Sequence, residues 1–352
     1  MNYKITRLLE LKDTSLLDQY IWLQRAWSMP FIKTDWTTIP TTSIRQNILR
    51  EEKLATRRWN WVIHQDEKLI GEGYIGINKT HDQNNFNIFV YIKPEYQKQG
   101  LAKLLTIHML NHIDTAGLTV VHVDTRDLVT PSGFDTFLES AGFKNVYQER
   151  MSGANFQDYD KLAIENEATS YRKLAEELGY CFEVVNDGGI SELSCSPDAF
   201  YRMREEVWND MPKEDADWDY EPYNEAIHKD MYKQIEDGTS TLMVVVLKND
   251  QPVGMTETWF NADIDLILHQ GDTGVLKSDR GHQLGKTLKL ILLDLLLKDH
   301  RTKNVQKWIT GNAGSNVHMI RINDYLQYKE LEIEKCYEMD FEEFKKIINK
   351  SN

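Results

Sequence analysis

The 352 residues carry 41 Lys and Arg against 55 Asp and Glu, a formal net charge of -14, with 41% hydrophobic and 27% charged residues. That balance excludes the basic face that reads nucleic acid and the polybasic surface that holds an anionic membrane. It fits a soluble globular protein of two domains, at roughly 100–200 residues each.

The chain opens on MNYKITRLLELKD, which lacks the apolar core of a signal peptide. Next, LLDQYIWLQRAW (16–27) has the period of a helix. VIHQDEKLIGEGYIGI (62–77) is strand, polar turn and strand, and FNIFVYIKPEYQKQGLAKLLTIHMLNHI (86–113) is strand, turn and amphipathic helix. LTVVHVDT (118–125) is a further strand, and FLESAGF (137–143) closes a short helix on glycine. SGANFQDYD (152–160) is polar and loop-like, and KLAIENEATSYRKLAEELGY (161–180) is a helix stopped at Gly179.

From there the plan repeats. CFEVV (181–185) opens a second sheet, and FYRMREEVWNDM (200–211) matches the early helix of the first half. KEDADWDYEP (213–222) is an acidic loop, either a solvated surface or a rim that draws cations. VVVLKNDQPVGMTETWF (244–260), TGVLKSDRGHQLGKTLKLILLDLLLKD (273–299), VQKWIT (305–310) and NDYLQY (323–328) follow in the order of their first-half counterparts. Gly71 and Gly254 differ by 183 positions, as do Gln97 and Arg280. Such an offset, held over several features, predicts two homologous domains of mixed α+β class. Their expected bounds are 1–155 and 180–352, joined by a helical linker over 156–179. The longest apolar run, LILLDLLL (290–297), is broken by Asp294 and too short to span a bilayer. Cys181, Cys195 and Cys336 show no CxxC or Cys/His spacing, which predicts a reduced, cytoplasmic setting and no metal. His108 and His112 lie four apart on one helix, but no third ligand accompanies them.

YQKQGLAKLL (96–105) sits where a strand closed by Pro94 turns into a helix. The free N–H groups and dipole at a helix N-terminus favour an anion. Gly100 removes the Cβ that would keep a ligand away, Ala102 keeps the next contact small, and Lys98 and Lys103 add positive charge. The turn reads as a pyrophosphate cradle or as a plain strand-to-helix connector. The GxGxxG and GxxxxGK[ST] patterns are both absent, which removes the dinucleotide and NTP readings.

The order of elements, with Gln/Arg-x-x-Gly-x-Gly/Ala between strand and helix, resembles the GNAT superfamily of acyl-CoA-dependent N-acetyltransferases. YIKPEYQKQGLA carries the cofactor signature and FLESAGF the closing helix and strand. RGHQLG and NAGSNVHMIRIN in the second half resemble a subgroup of tandem GNAT proteins, so the likeness covers nearly the whole chain. It implies two domains, each a central, mostly antiparallel sheet flanked by helices. Acetyl-CoA is the implied cosubstrate, without metal, and the amine of a small molecule the acceptor, attacked directly in a ternary complex. Tyr91 and Ile92 would lend backbone groups to the cofactor. Gln97, Lys98, Gln99, Gly100, Leu101, Ala102 and Lys103 would hold its pyrophosphate. Their second-half counterparts would be Val275, then Arg280, Gly281, His282, Gln283, Leu284, Gly285 and Lys286.

Four positions depart from the pattern. Gln283 replaces a glycine, which predicts a loop that approaches phosphate less closely, and Gln327 replaces the glycine of the closing phrase. In the first half Pro131 and Leu138 stand where many members carry an Asn and a Tyr acid. Glu257, in alternation from Gly254, faces the expected cleft and is the candidate base; its counterpart Tyr74 can donate, and Glu72 is the nearest first-half carboxylate. Asn312, Asn316 and Asn323 would contact the pantetheine or the leaving sulfur, Asn323 at the reacting end. Tyr325 and Tyr328 are possible acids or packing residues. The rival expectations are a non-catalytic module that binds acyl-CoA or another ligand, and transfer to a protein amine.

Overall fold

A computed structural model of the protein describes residues 3–38, 41, 58–77, 84–128, 130, 133–212, 222–232, 239–260 and 266–350. The acidic loop and Pro131 lie outside them, apart from Pro222. In chain order the main elements of the first half are β1 (Lys4–Arg7), α1 (Thr14–Ser28), β2 (Arg58–Gln65), β3 (Lys68–Ile77), β4 (Asn85–Ile92), α2 (Leu101–Leu110), β5 (Val120–Arg126), α3 (Phe134–Ala141) and β6 (Lys144–Asn155). Then come α4 (Lys161–Glu176), β7 (Tyr180–Asn186), α5 (Pro197–Asn209), α6 (Glu225–Met231), β8 (Ser240–Lys248), β9 (Gln251–Phe260) and β10 (Ile267–Val275). The chain ends with α7 (Leu284–Lys298), β11 (Lys307–Ala313), α8 (Val317–Tyr325), β12 (Lys329–Asp340) and α9 (Phe341–Asn349).

Two compact units result. Among the described residues the first comprises 3–148 and 332–350, and the second 149–331. In the first unit β1–β2–β3–β4 are antiparallel neighbours, β4 runs parallel to β5, and β12 closes the sheet antiparallel to β5. In the second, β7–β8–β9–β10 repeat the antiparallel run, β10 is parallel to β11, and β6 closes the sheet antiparallel to β11. The mixed α+β class and the mostly antiparallel sheet are as expected.

The unit bounds differ from 155 and 180. The strand after α3 completes the second unit's sheet, from Glu149 against Ala313 to Asn155 against Lys307. The strand after α8 completes the first unit's, from Glu334 against Arg126 to Asp340 against Val120. Each strand carries its helix along. Asp160 caps α4 by accepting from the Leu162 and Ala163 N–H groups, and Asp340 caps α9 in the same way from Glu342 and Glu343. The helix expected as a linker therefore belongs to the second unit, where Ile164, Ala168 and Ala175 enter its core beside Leu288 and Leu292. Phe341 and Phe344 of α9 enter the first unit's core against Phe86 and Phe143. Each buried Phe contributes about 1.5–3 kcal/mol of apolar burial.

Each sheet has a helix on both faces. Ile75, Ile88 and Val121 meet Leu105 and Met109 of α2 on one face of the first sheet, while Leu17 and Ile21 of α1 meet Val62 and Leu69 on the other. In the second unit, Met203 and Val207 of α5 cover Met243, Val245 and Met255. No described helix is long and apolar enough to cross a membrane.

Candidate active site

The parallel pair in each unit parts early. β4 and β5 pair only at Asn85–Val120, Phe86–Val121 and Asn87–His122, although the strands continue to Ile92 and Arg126. β10 and β11 pair only at Ile267–Lys307, Leu268–Trp308 and His269–Ile309. Strands that diverge leave main-chain N–H and C=O groups along a wedge, free to bond a ligand rather than each other.

At the mouth of each wedge lies the predicted turn, and the two turns share one backbone path. Gln97 and Arg280 are extended (φ -69° and -71°). Each returns its side chain to the strand it follows: Gln97 Nε2 donates to the Ile92 carbonyl at 2.9 Å, and Arg280 Nε to the Val275 carbonyl at 3.0 Å. Lys98 and Gly281 are left-handed (φ 59° and 88°), as are Gly100 and Gln283 (φ 78° and 58°). Gln283, expected to keep phosphate further off, takes the left-handed conformation of Gly100, so the backbone path of the second turn is kept.

The first intrahelical bonds run from Leu104 N to the Gly100 carbonyl and from Thr287 N to the Gln283 carbonyl. Leu101, Ala102 and Lys103, and likewise Leu284, Gly285 and Lys286, supply the helix-end N–H groups. A Cβ added at Gly100 or Gly281 meets nothing within 4 Å, so both turns face open space. Both arrangements fit a phosphate-bearing ligand. The side chains around them differ. Tyr3 donates to Gln99, and Lys103 Nζ to the Lys350 carbonyl at 2.5 Å. In the second unit Arg280 and Lys277 both pair with Asp210, His282 lies 5.8 Å from the Tyr180 ring, and Lys286 donates to Tyr171 at 2.6 Å.

Beside the first wedge, the α1 face of β3 and β4 carries Glu72, Tyr74, Phe89 and Tyr91, with Glu72 opposite Tyr91 and Tyr74 opposite Phe89. Glu72 is buried. It accepts from Trp27 Nε1 at 2.7 Å and from Gln24 Nε2, both on α1. Burial pushes its carboxyl up to about 7, against the lowering effect of those two donors and of Arg58. Trp27 stacks on Phe89 at 4.6 Å, Phe89 on Tyr74 at 5.4 Å, and the Arg58 guanidinium lies 4.2 Å from the Tyr74 ring centroid.

Glu257 occupies the corresponding face of the second unit but is a different chemical object. It is buried in a two-point ion pair with the fully buried Arg204 of α5, and Tyr232 donates to its second oxygen at 2.6 Å. Arg204 also pairs with Asp272 at 2.9 Å, and Trp208 Nε1 donates to that same Asp272 oxygen. Burial raises the Glu257 carboxyl and the Arg204 charge opposes it. Both oxygens of the Glu257 carboxylate are thus engaged, by a guanidinium and a phenol.

The asparagines also divide. Asn316 is the N-cap of α8, its side chain accepting from Met319 N. Asn323 is buried. It accepts from Lys289 Nζ and donates to Asn312 Oδ1, both at 2.6 Å, and burial pulls the Lys289 amine down to about 7. Tyr328 is buried with its phenol pushed well above the usual range, whereas Tyr325 is exposed, with Lys286 Nζ 3.8 Å from its ring centroid.

Sequence reasoning passed over Gln24, Trp27 and Arg204, and ranked Glu72 below Glu257. A signal was present: Trp27 and Trp208 lie 181 positions apart on matching helices, and both indoles donate to a carboxylate.

Residues 5–144 match the family model described as an acetyltransferase (GNAT) domain. The whole chain is similar in fold to a tandem GNAT protein from the clavulanic acid biosynthesis pathway, at 15% identity and a TM-score of 0.69, covering 100% of both chains. It is similar to a GCN5-related N-acetyltransferase from Sphaerobacter thermophilus, at 12% identity and a TM-score of 0.62, covering 96% of this chain and 95% of that one. A GCN5-related glucosamine N-acetyltransferase region in a fungal multi-domain GH3 β-N-acetylglucosaminidase is similar at 12% identity and a TM-score of 0.59, covering 96% of this chain and 38% of that one. The sequence matches no curated protein.

Proposed function

We propose that this chain, which has the fold of tandem GNAT proteins and whose residues 5–144 match the model of a GNAT acetyltransferase domain, moves an acetyl group from acetyl-CoA to the amine of a small molecule. The first unit does the chemistry. Acetyl-CoA supplies the thioester electrophile, and the turn at Gln97–Lys103 with the wedge beside Tyr91 and Ile92 holds it. The observation that carries the assignment is Glu72, a carboxyl that burial raises to about 7 and that accepts from two neutral donors instead of pairing with a cation.

A general base works best when its pKa lies near the working pH. Glu72 takes the ammonium proton of the acceptor, directly or through one water, and the free amine attacks the thioester in a ternary complex. Tyr74, on the same face, donates to the acceptor or the leaving group. The second unit, with Glu257 held by Arg204, keeps its own turn and Asn312–Asn323 chain but serves as a binding or supporting half.

Calorimetry with acetyl-CoA on the intact chain, Gly100→Asp and Gly281→Asp tests this. Each aspartate meets no neighbour within 4 Å, costs about 1–2 kcal/mol for a side chain at a left-handed φ, and sets like charge against pyrophosphate. Loss of binding and of acetyl transfer in Gly100→Asp alone is the expected result. Loss confined to Gly281→Asp would move the chemistry to the second unit, and an intact chain that binds acetyl-CoA without acetylating any amine would leave a ligand-binding module.

A further inference from the structure

Arg126 of β5 ties the end of α1 to β12, and its guanidinium works in three directions. Nη1 donates to the Trp27 carbonyl at 3.0 Å, Nη2 pairs with Glu332, and Nε lies 3.0 Å from Glu334. Both carboxylates stand on β12, Glu334 directly opposite Arg126. The guanidinium carbon is also 5.8 Å from the Trp27 ring centroid.

Glu332 is buried and needs a cation beside it, so charge balance alone accounts for that arm. It does not account for the arm on Trp27. Trp27 is the next-to-last residue of α1, and its carbonyl is one of the four that a helix end leaves without an intrahelical partner. A cation there also meets the negative end of the helix dipole. Trp27 is in turn the residue that touches the proposed base: Nε1 donates to Glu72 at 2.7 Å, and the ring stacks on Phe89 at 4.6 Å. An indole has a single N–H, so a shift of the α1 end takes that donor off Glu72. The other groups facing Glu72 are Gln24 on α1, Tyr74 on its own strand, Tyr91 on β4 and Arg58 on β2.

The second unit lacks this grip at the matching register. Its β11–β6 ladder runs from Lys307–Asn155 to Ala313–Glu149, as the β5–β12 ladder runs from Val120–Asp340 to Arg126–Glu334. Ala313 thus stands where the first unit has Arg126. We infer that Arg126 is a positioning residue of the first unit: anchored on β12 by Glu332 and Glu334, it fixes the end of α1 so that Trp27 keeps its N–H on Glu72. The inference rests on the acetyltransferase reading above.

Arg126→Lys on the full chain tests it. The variant keeps a charge beside Glu332 but gives up the fork, because an ammonium is a single point of donation. It is expected to lower kcat about tenfold, the loss of one hydrogen bond to the base, with the KM values for acetyl-CoA and amine unchanged. Trp27→Phe removes the same N–H directly, so Arg126→Lys should cost nothing further in that background. Losses that multiply would overturn the inference. Titration of Glu72 by carboxyl 13C NMR, assigned through Glu72→Gln, gives a readout independent of activity. Both variants should move it upward by about one pH unit. Both shifts in a protein that acetylates no amine uphold the grip and sink the enzyme. An unmoved titration in Arg126→Lys sinks the grip and leaves acetyl transfer standing where it is seen. Should Arg126→Lys not fold, Arg126→Gln with Glu332→Gln, which leaves no buried charge at the pair, is read in the same way.

Discussion

Glu72 and Glu257 stand on the same face of matching strands, one and three residues beyond the equivalent glycines Gly71 and Gly254, and the two units treat them in opposite ways. The first surrounds its carboxyl with an indole and an amide, which bond it without neutralising it. The second gives its carboxyl a guanidinium, Arg204, where the matching position of α1 holds Leu23. Burial penalises the charged form in both; only the second pairs its carboxyl directly with a full opposite charge. The same scaffold thus yields one carboxyl that can exchange a proton near neutral pH and one that is a structural ion.

The comparison breaks most severely at Glu72 itself. Glu72→Gln is expected to lower kcat by about 10²–10⁴-fold, the usual contribution of a general base, with acetyl-CoA affinity unchanged. It should also remove the acidic limb of the kcat/KM profile, whose midpoint is set by a carboxyl near 7. Stability should move the other way. A carboxyl raised from 4.5 to about 7 in the fold contributes stability that is present below 4.5 and lost as pH rises through 7. The penalty above that window is about 3 kcal/mol. The glutamine variant never acquires that charge, so urea midpoints of variant and native protein should diverge in the variant's favour between pH 5 and 8. Coincident midpoints at both values would show that Glu72 is not raised.

Next in size is the second unit's ion pair. Arg204→Leu installs what the first unit has and strands Glu257 and Asp272. Removing one partner of a buried pair costs about 3–5 kcal/mol. In the first unit Gln24→Leu removes one neutral donor to Glu72 and should cost about 1–3 kcal/mol. Denaturation midpoints of the two variants check the ranking. Equal losses would mean that Arg204 is not structurally different from Gln24, and the comparison between the units would collapse.

The repeat, both turns and the chain order of the elements were legible because each is a local pattern: alternation, a turn before a helix, a fixed offset. The exchange of β6 and β12 was not, because nothing in KNVYQERMSGAN or KELEIEKCYEMD states which sheet edge each strand will pair with; that choice is non-local. Arg204 was hidden for a related reason. An arginine in MREEVW has the look of a solvated helix face, and only packing reveals that α5 turns it inward onto Glu257. Glu72 was visible, but its rank depends on Gln24 and Trp27, 48 and 45 residues away.

The smallest expected effect concerns the turns. Each loop has two left-handed positions and gives glycine to only one: Gly100 but Lys98 in the first unit, Gly281 but Gln283 in the second. The closing turns repeat the pattern, with Gly142 at φ 99° and Gln327 at φ 64°. A side chain in that region costs about 1–2 kcal/mol by steric crowding, offset in part by the extra freedom glycine has when unfolded. Gln283→Gly and Gln327→Gly should therefore each stabilise the second unit, by roughly 0.5–1 kcal/mol. Gln283→Gly should leave acetyl-CoA affinity at the Gly100 turn untouched. A gain in overall acetyl-CoA affinity with Gln283→Gly would instead place cofactor in the second turn. The two units would then differ in their carboxylates but not in their capacity to hold the thioester.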